Sequence, residues 1–124
     1  MTTITKYKVS ATIAADETSA TAYSIPIRGK ILAVGVHYPT NTCTVDLDSD
    51  GEAVAQKILD LAAANTDVVR YPRKPVEDHE GTGIEYASGY PIYEPFIVYG
   101  RLKLSLATGT AEDTVKVDLI VEEN

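Results

Sequence analysis

The acidic run Asp46-Leu47-Asp48-Ser49-Asp50-Gly51 has the residue types of a calcium-binding loop. In such a loop, carboxylates at alternate positions converge on the ion and a glycine at the sixth position permits the sharp turn. The closing bidentate glutamate should fall at residue 57, which in this chain is Lys57, a cation. The sequence therefore favours the solvent-facing side of a β-strand, ending in an Asp-Gly turn, over a calcium site at Asp46, Asp48 and Asp50.

The two histidines are candidate metal ligands or general bases. His79 lies between carboxylates in Glu77-Asp78-His79-Glu80, and His37 lies in an apolar run. A metal site on a β scaffold needs ligands from more than one element, and two isolated histidines do not supply them. We therefore expect His79 to be a solvated loop residue, His37 a strand residue and the single cysteine, Cys43, a core residue. Because no nucleophile elbow or phosphate-binding loop is present, we predict no enzyme activity and no cofactor.

A long segment without strand or helix periodicity runs from Arg70 to Pro95. It contains four of the eight tyrosines and four of the six prolines of the chain. A compact domain rarely carries such a loop unless the loop is functional, disordered or ordered by a partner. Disordered segments are poor in aromatic residues, whereas tyrosine is typical of interface cores. We predict an ordered docking loop over residues 70–95, with the contact candidates Tyr71, Tyr86, Tyr90, Tyr93 and Phe96. The alternative is an ordered loop whose tyrosines lie on their own domain.

Composition restricts the class of protein. The chain has 124 residues, of which 44% are hydrophobic and 23% charged, as expected for one globular domain over residues 1–124. The net charge of −7 argues against a nucleic-acid partner, because phosphate contacts need clustered Lys and Arg. No apolar stretch is long enough to cross a bilayer, and the start of the chain lacks the apolar core of a secretory signal. We therefore expect no membrane partner and synthesis in a cytosol.

Alternation of apolar and polar residues dominates the chain and predicts β-strands. Strands are expected over residues 4–13, 20–27, 31–38, 42–48, 96–107 and 114–121. Residues 52–64 have helical propensity because of their alanines, but their β-rich surroundings favour a strand. About eight short strands with regular turns predict an all-β fold, a single antiparallel β-sandwich of the jelly-roll kind with one long ordered loop. Residues 1–6 are a candidate N-terminal arm.

Three segments of the chain resemble a known class of viral proteins. They are Gly29-Lys30-Ile31-Leu32-Ala33-Val34-Gly35-Val36-His37-Tyr38, Asn65-Thr66-Asp67-Val68-Val69-Arg70-Tyr71-Pro72-Arg73 and Pro95-Phe96-Ile97-Val98-Tyr99-Gly100-Arg101-Leu102-Lys103-Leu104-Ser105-Leu106-Ala107. These segments are similar to small β-sandwich proteins of tailed bacteriophages, in particular to head decoration, or cement, proteins. The resemblance covers most of the chain after residue 28 and includes no catalytic motif.

The resemblance implies a structural protein of the virion, made in the host cytoplasm. Such a protein sits on the outer capsid surface, commonly as a homotrimer, and ties neighbouring subunits of the major capsid protein together. No contact residue can be transferred from the resemblance.

Two other functions remain open. A carbohydrate-binding sandwich would stack Tyr86, Tyr90 and Tyr93 on sugar rings beside Glu85 and Glu94, although the chain contains no Trp. Another virion component, such as a tail or head-tail connector protein, would use the same kind of fold, because a fold does not specify a position on the particle.

Overall fold

The structure is a computed structural model that describes residues 2–123. Within this range the chain forms β-strands and no helix. In chain order the strands are β1 (Thr3–Thr12), β2 (Ala20–Tyr23), β3 (Ile27–His37), β4 (Cys43–Asp50), β5 (Lys57–Ala64), β6 (Val68–Arg70), β7 (Arg73–Pro75), β8 (Glu85–Ala87), β9 (Tyr90–Pro91), β10 (Tyr93–Pro95), β11 (Ile97–Ala107) and β12 (Thr114–Glu123). All their pairings are antiparallel.

Eight of these strands form two layers. One layer has the order β1-β12-β3-β6 and the other the order β2-β11-β4-β5. Residues 97–100 of β11 also pair with β3, so the two layers meet at a corner. The chain crosses between the layers at every connection of these eight strands except the β4–β5 hairpin, which is the double Greek key of a jelly roll. The predicted all-β, jelly-roll-like sandwich is confirmed.

The hydrophobic core lies between the two layers. Alternate residues of the long strands point inward because successive side chains of a strand point to opposite faces. The largest fully buried side chains are Ile13, Ile27, Ile31, Val34, Val45, Leu47, Val98, Leu102, Leu104, Val115, Val117 and Leu119. Each such side chain contributes about 1.5–3 kcal/mol through removal from water. Cys43 is also buried, as expected, and its thiol is free.

The start of the chain forms an edge strand rather than a free arm. From Thr3 to Lys6, the residues pair with the end of β12 in register, and Met1 lies outside the described residues. The hydroxyl groups of Thr5 and Tyr7 both donate hydrogen bonds to the carboxylate of Glu123. This hydrogen bond raises the pKa of Tyr7, because the Glu123 carboxylate can accept it only while the phenol keeps its proton. The interpretation of residues 1–6 as an arm is therefore wrong from residue 3 onward.

Residues 52–64, whose alanines gave them helical propensity, do not form a helix. Residues 57–64 form β5 and pair with β4, so the preference for a strand is correct there. The connection between the two strands is longer than the expected Asp-Gly turn. It spans residues 51–56, and it is closed where the backbone N–H of Gln56 donates to the Ser49 hydroxyl at 2.7 Å and the Ser49 N–H donates to the Gln56 carbonyl at 2.9 Å.

Candidate functional site

The most distinctive feature outside the sandwich is an arm between β6 and β11, which we define as residues 73–95. Its root is the pairing of β7 with β10, where Lys74 and Glu94 lie opposite each other and form an ion pair at 2.7 Å. The guanidinium of Arg73 donates to the carbonyl of Leu32 at 3.2 Å, which ties the root to β3. The preceding residue, Pro72, is buried. The arm is therefore anchored at its base.

A cycle of backbone hydrogen bonds organises the middle of the arm. The N–H of Val76 donates to the carbonyl of Ile92 at 2.8 Å, the N–H of Ile92 to Ile84 at 3.0 Å, and the N–H of Ile84 to Val76 at 2.8 Å. Three branches leave this junction: the β7–β10 root, a hairpin over residues 77–83 and a hairpin over residues 85–91. The segment is therefore ordered, as predicted, but it is built from short β-pairs and is not irregular.

Each hairpin is closed by a carboxylate that accepts hydrogen bonds from the backbone. In the first hairpin, Asp78 Oδ1 accepts from the N–H groups of Glu80 at 2.9 Å and Thr82 at 3.0 Å. In the second, Glu85 Oε2 accepts from the N–H of Gly89 at 3.0 Å. Gly81 and Gly89 have φ values of 88° and 80°, which a side chain would disfavour. These turn contacts hold the tips of both hairpins in one conformation.

The tyrosines of the segment face solvent. Tyr86 and Tyr90 are 72% and 58% exposed, and their rings lie side by side with centroids 5.6 Å apart and an angle of 36° between the ring planes. Tyr71 and Tyr93 are also exposed. The structure thus disagrees with the alternative in which the tyrosines lie on their own domain. Phe96 differs from the other candidates, because it is partly buried against the core cluster and supports the fold.

The distal arm, defined as residues 76–92, is acidic and has no basic counter-charge apart from His79. No Lys or Arg occurs between Lys74 and Arg101, whereas the distal arm carries Glu77, Asp78, Glu80 and Glu85. The imidazole of His79 is exposed, as expected, and lies 3.8 Å from Glu80. The hydrogen bonds found for residues 76–92 all join groups within the arm. The distal arm thus presents carboxylates and tyrosines to solvent.

A second surface, which we call the Arg–Tyr strip, was not recognised in the sequence. It consists of Tyr23, Arg28, Ile97, Tyr99 and Arg101, along the outer side of β11 and its neighbours. The Arg28 guanidinium donates to the Tyr99 hydroxyl at 2.8 Å and lies 4.7 Å from that ring's centroid. The Arg101 guanidinium lies 3.9 Å from the centroid of Tyr23 and pairs with Asp50 at 2.5 Å.

The composition of the strip is that of an interaction surface. Tyr and Arg are enriched in interface cores and among the residues that dominate binding energy. Tyr99 is 66% exposed, and Ile97 beside it is 57% exposed. Lys30 lies directly opposite Ile97 on β3, so its side chain shares this face. Arg28 forms no ion pair with a carboxylate among residues 2–123, whereas Lys30 lies opposite Glu122 of β12 on the same face. The strip is therefore aromatic and carries one arginine, Arg28, that forms no ion pair in the described residues.

The calcium candidate Asp46, Asp48 and Asp50 does not form the required loop. These residues lie on β4, where alternate side chains are about 6.8 Å apart along an extended chain and do not converge. Lys57 lies 3.9 Å from Asp46 and 3.4 Å from Asp48, so the cation at the expected ligand position neutralises the site. Within the described part of the chain, no group of three His, Cys, Asp or Glu side chains could hold a metal.

On the strand pair β4–β5, neighbouring charges and burial shift the pKa values of Asp46 and Lys57. Burial raises the pKa of Asp46, and a hydrogen bond with Asp60, directly opposite on β5, raises it further, while Lys57 opposes the shift. Burial lowers the pKa of Lys57, but the nearby carboxylates of Asp48 and Asp46 outweigh that effect and raise it. Like charges directly opposite each other destabilise a sheet. The Asp46–Asp60 pair therefore affects the stability of the β4–β5 pairing.

An open groove of about 600 Å³ lies on the outer face of the first layer, above Gly35. His37, at the end of β3, is exposed, and its Nδ1 lies 2.7 Å from Asp67 Oδ2. Asp67 also accepts the backbone N–H of Tyr38 at 2.9 Å. The hydrogen bond from His37, together with that from the Tyr38 N–H, lowers the pKa of Asp67. Lys8 and Lys116 line the same groove. The His37–Asp67 pair tethers the start of β6 to β3, and the geometry of this pair alone specifies no reaction.

Comparison with known proteins adds no family. No protein-family model matches the chain, and no curated protein matches its sequence. In the span from residue 2 to residue 123 there is also no helix that could cross a membrane. Function therefore has to be inferred from the chain's own surfaces, the arm and the Arg–Tyr strip.

Proposed function

We propose that the protein is a capsid decoration, or cement, protein of a tailed bacteriophage. It binds the outer surface of the phage head, contacts the major capsid protein and stabilises the capsid lattice. The observation that carries this proposal is the arm: a rigid branched structure, anchored at its root, that presents Tyr86 and Tyr90 to solvent. Two adjacent tyrosines, exposed on a hydrogen-bonded support outside the core, are typical of a surface that binds a partner.

The body of the protein is compatible with this role. A decoration protein must fold before it meets the capsid and must then bury extended segments against its neighbours. The jelly roll supplies a disulfide-free core and leaves the outer edges of β1 and β5 unpaired by other named strands in the described residues. Such edges can accept a strand from another chain, and aromatic anchors can supply most of the binding energy.

We further propose that the protein acts as a homotrimer in the virion. A cement protein that contacts several capsid subunits gains affinity when several binding modules are linked, because the later contacts become intramolecular. Light scattering of the purified protein tests this part independently of the capsid. A strictly monomeric species at the highest soluble concentration would contradict it.

Co-sedimentation with purified capsids tests the binding proposal. The wild-type protein is expected to pellet with capsids, and the double substitution of Tyr86 and Tyr90 by Ala is expected to weaken binding at least about tenfold, as is typical for aromatic anchors. The matched control is Val54→Ala, which truncates an exposed apolar side chain outside both the arm and the strip. Unchanged binding of the arm double variant would refute the role of these tyrosines, and absence of wild-type binding would refute the decoration function.

Carbohydrate binding is the second candidate, and one observation favours it. The adjacent exposed rings of Tyr86 and Tyr90 lie on the same hairpin as Glu85, and exposed aromatic rings with nearby carboxylates can stack on a sugar ring and accept its hydroxyl hydrogen bonds. A glycan array separates the two functions. Binding of a defined glycan that is lost in the Tyr86→Ala variant, without capsid binding, would support this candidate. A tail or connector position would instead appear when the protein is located on particles by electron microscopy.

A further inference from the structure

The structure places two complementary surfaces on one chain. The distal arm carries four carboxylates, no Lys or Arg, and two exposed tyrosines. The Arg–Tyr strip carries exposed tyrosine and isoleucine side chains around Arg28, which forms no ion pair in the described chain. Complementary potentials of this kind select partners and orient them during association.

We infer that the distal arm of one copy binds the Arg–Tyr strip of a second copy, head to tail. This inference rests on the self-association in the proposed function and identifies the surfaces that produce it. Glu77, Glu80 and the tyrosine pair meet Arg28, Ile97 and Tyr99 of the neighbouring copy. Asp78 and Glu85 are less available, because they already accept backbone hydrogen bonds within their own hairpins.

The arm is large enough to contribute a substantial part of such an interface. A tyrosine buries about 150–250 Å² when fully covered. With exposed fractions of 72% and 58%, Tyr86 and Tyr90 together offer roughly 260 Å². One side of a standard protein interface buries about 800 Å², so these two rings supply about a third of it. The exposed backbone and carboxylates of the two hairpins extend the contact.

The geometry of the contact determines the type of assembly. An interface between two different surfaces of the same chain leaves one arm and one strip free in every dimer. A third copy can therefore join, and the assembly closes when the last arm meets the first strip. A closed ring of this type accounts for a trimer without requiring a two-fold symmetric contact.

Complementation between two defective variants tests the inference. The first variant, Arg28→Glu, keeps the arm and reverses a charge of the strip. The second replaces residues 76–92 by Asn-Gly, which joins the paired residues Pro75 and Tyr93 with a tight turn and keeps the strip. Each variant is mixed with itself and with the other, and the masses are read by analytical ultracentrifugation at a concentration where the wild type is oligomeric.

Each variant alone is expected to be monomeric, with a dissociation constant raised at least about tenfold for Arg28→Glu. The mixture is expected to form a dimer and nothing larger, because only one arm–strip contact remains possible. The matched control is Lys8→Glu, which makes the same charge change outside the strip and should assemble as the wild type does. Formation of the heterodimer also shows that both variants are folded.

Three outcomes would overturn the inference: a monomeric wild type, wild-type assembly of Arg28→Glu, or no heterodimer in the mixture. An arm that binds another arm would give the last result, because the armless variant could then bind nothing. Capsid co-sedimentation is measured separately, so that loss of self-association and loss of capsid binding are distinguished.

Discussion

Removal of the distal arm is expected to remove its contacts with partners without lowering the free energy of unfolding of the sandwich. The replacement of residues 76–92 by Asn-Gly shortens a connection of 17 residues to two. Loop-closure entropy falls by about 0.6 kcal/mol for each halving of loop length, and this change is about three halvings. No residue in 76–92 is buried, so no core contact is lost. The free energy of unfolding is therefore expected to stay the same or to rise by up to about 2 kcal/mol.

Urea denaturation followed by circular dichroism measures this change. The protein concentration has to be low enough that wild type and variant are both monomeric, because association adds to apparent stability. The variant should keep the urea dependence of the wild type apart from the small reduction expected for a shorter chain. A loss of about 2 kcal/mol or more would refute the reasoning, since a loss of that size is typical of removed core contacts and not of exposed ones.

Two further predictions concern the body of the sandwich. The buried hydroxyl of Ser24 accepts a hydrogen bond from the N–H of Leu102 at 2.8 Å, so Ser24→Ala should lower the free energy of unfolding by about 1–3 kcal/mol. The control substitution Ser10→Ala, on the exposed face of β1, should leave the free energy of unfolding nearly unchanged. Equal effects of the two substitutions in urea titrations would contradict the role of the hydrogen bond. Because the pKa of Asp46 is raised, its protonated form is favoured in the fold and stability falls as pH rises through that pKa. Asp60→Asn should therefore stabilise the protein by about 0.2–1 kcal/mol at pH 7, with a gain that disappears below about pH 4, and a gain independent of pH would contradict this origin.

The strands of the body were predictable because each has one buried face. In β12, Val115, Val117 and Leu119 alternate with polar residues, and the same period in β4 correctly assigned the aspartates to the outer face. The period is a local property of the chain. It can therefore be recognised in the sequence before it is known which strands become neighbours.

The branched arm and the strip were not predictable in the same way. The junction residues Val76, Ile84 and Ile92 are eight positions apart, and the strands that meet there have two or three residues, too few to show a period. The strip depends on register between strands that are distant in sequence, since Arg28 meets Tyr99 only because β3 pairs with β11. Composition drew attention to the arm through its tyrosines, whereas the strip has no compositional signal.

The disruption temperature of capsids tests the central claim most directly. Capsids that lack the protein are heated with and without added wild-type protein, and with the armless variant as the control. A species that binds only the intact lattice stabilises it by mass action, so the wild type is expected to raise the disruption temperature and the armless variant to raise it less or not at all. Identical disruption temperatures with and without the wild-type protein, under conditions where it is folded and in excess, would contradict a cement function.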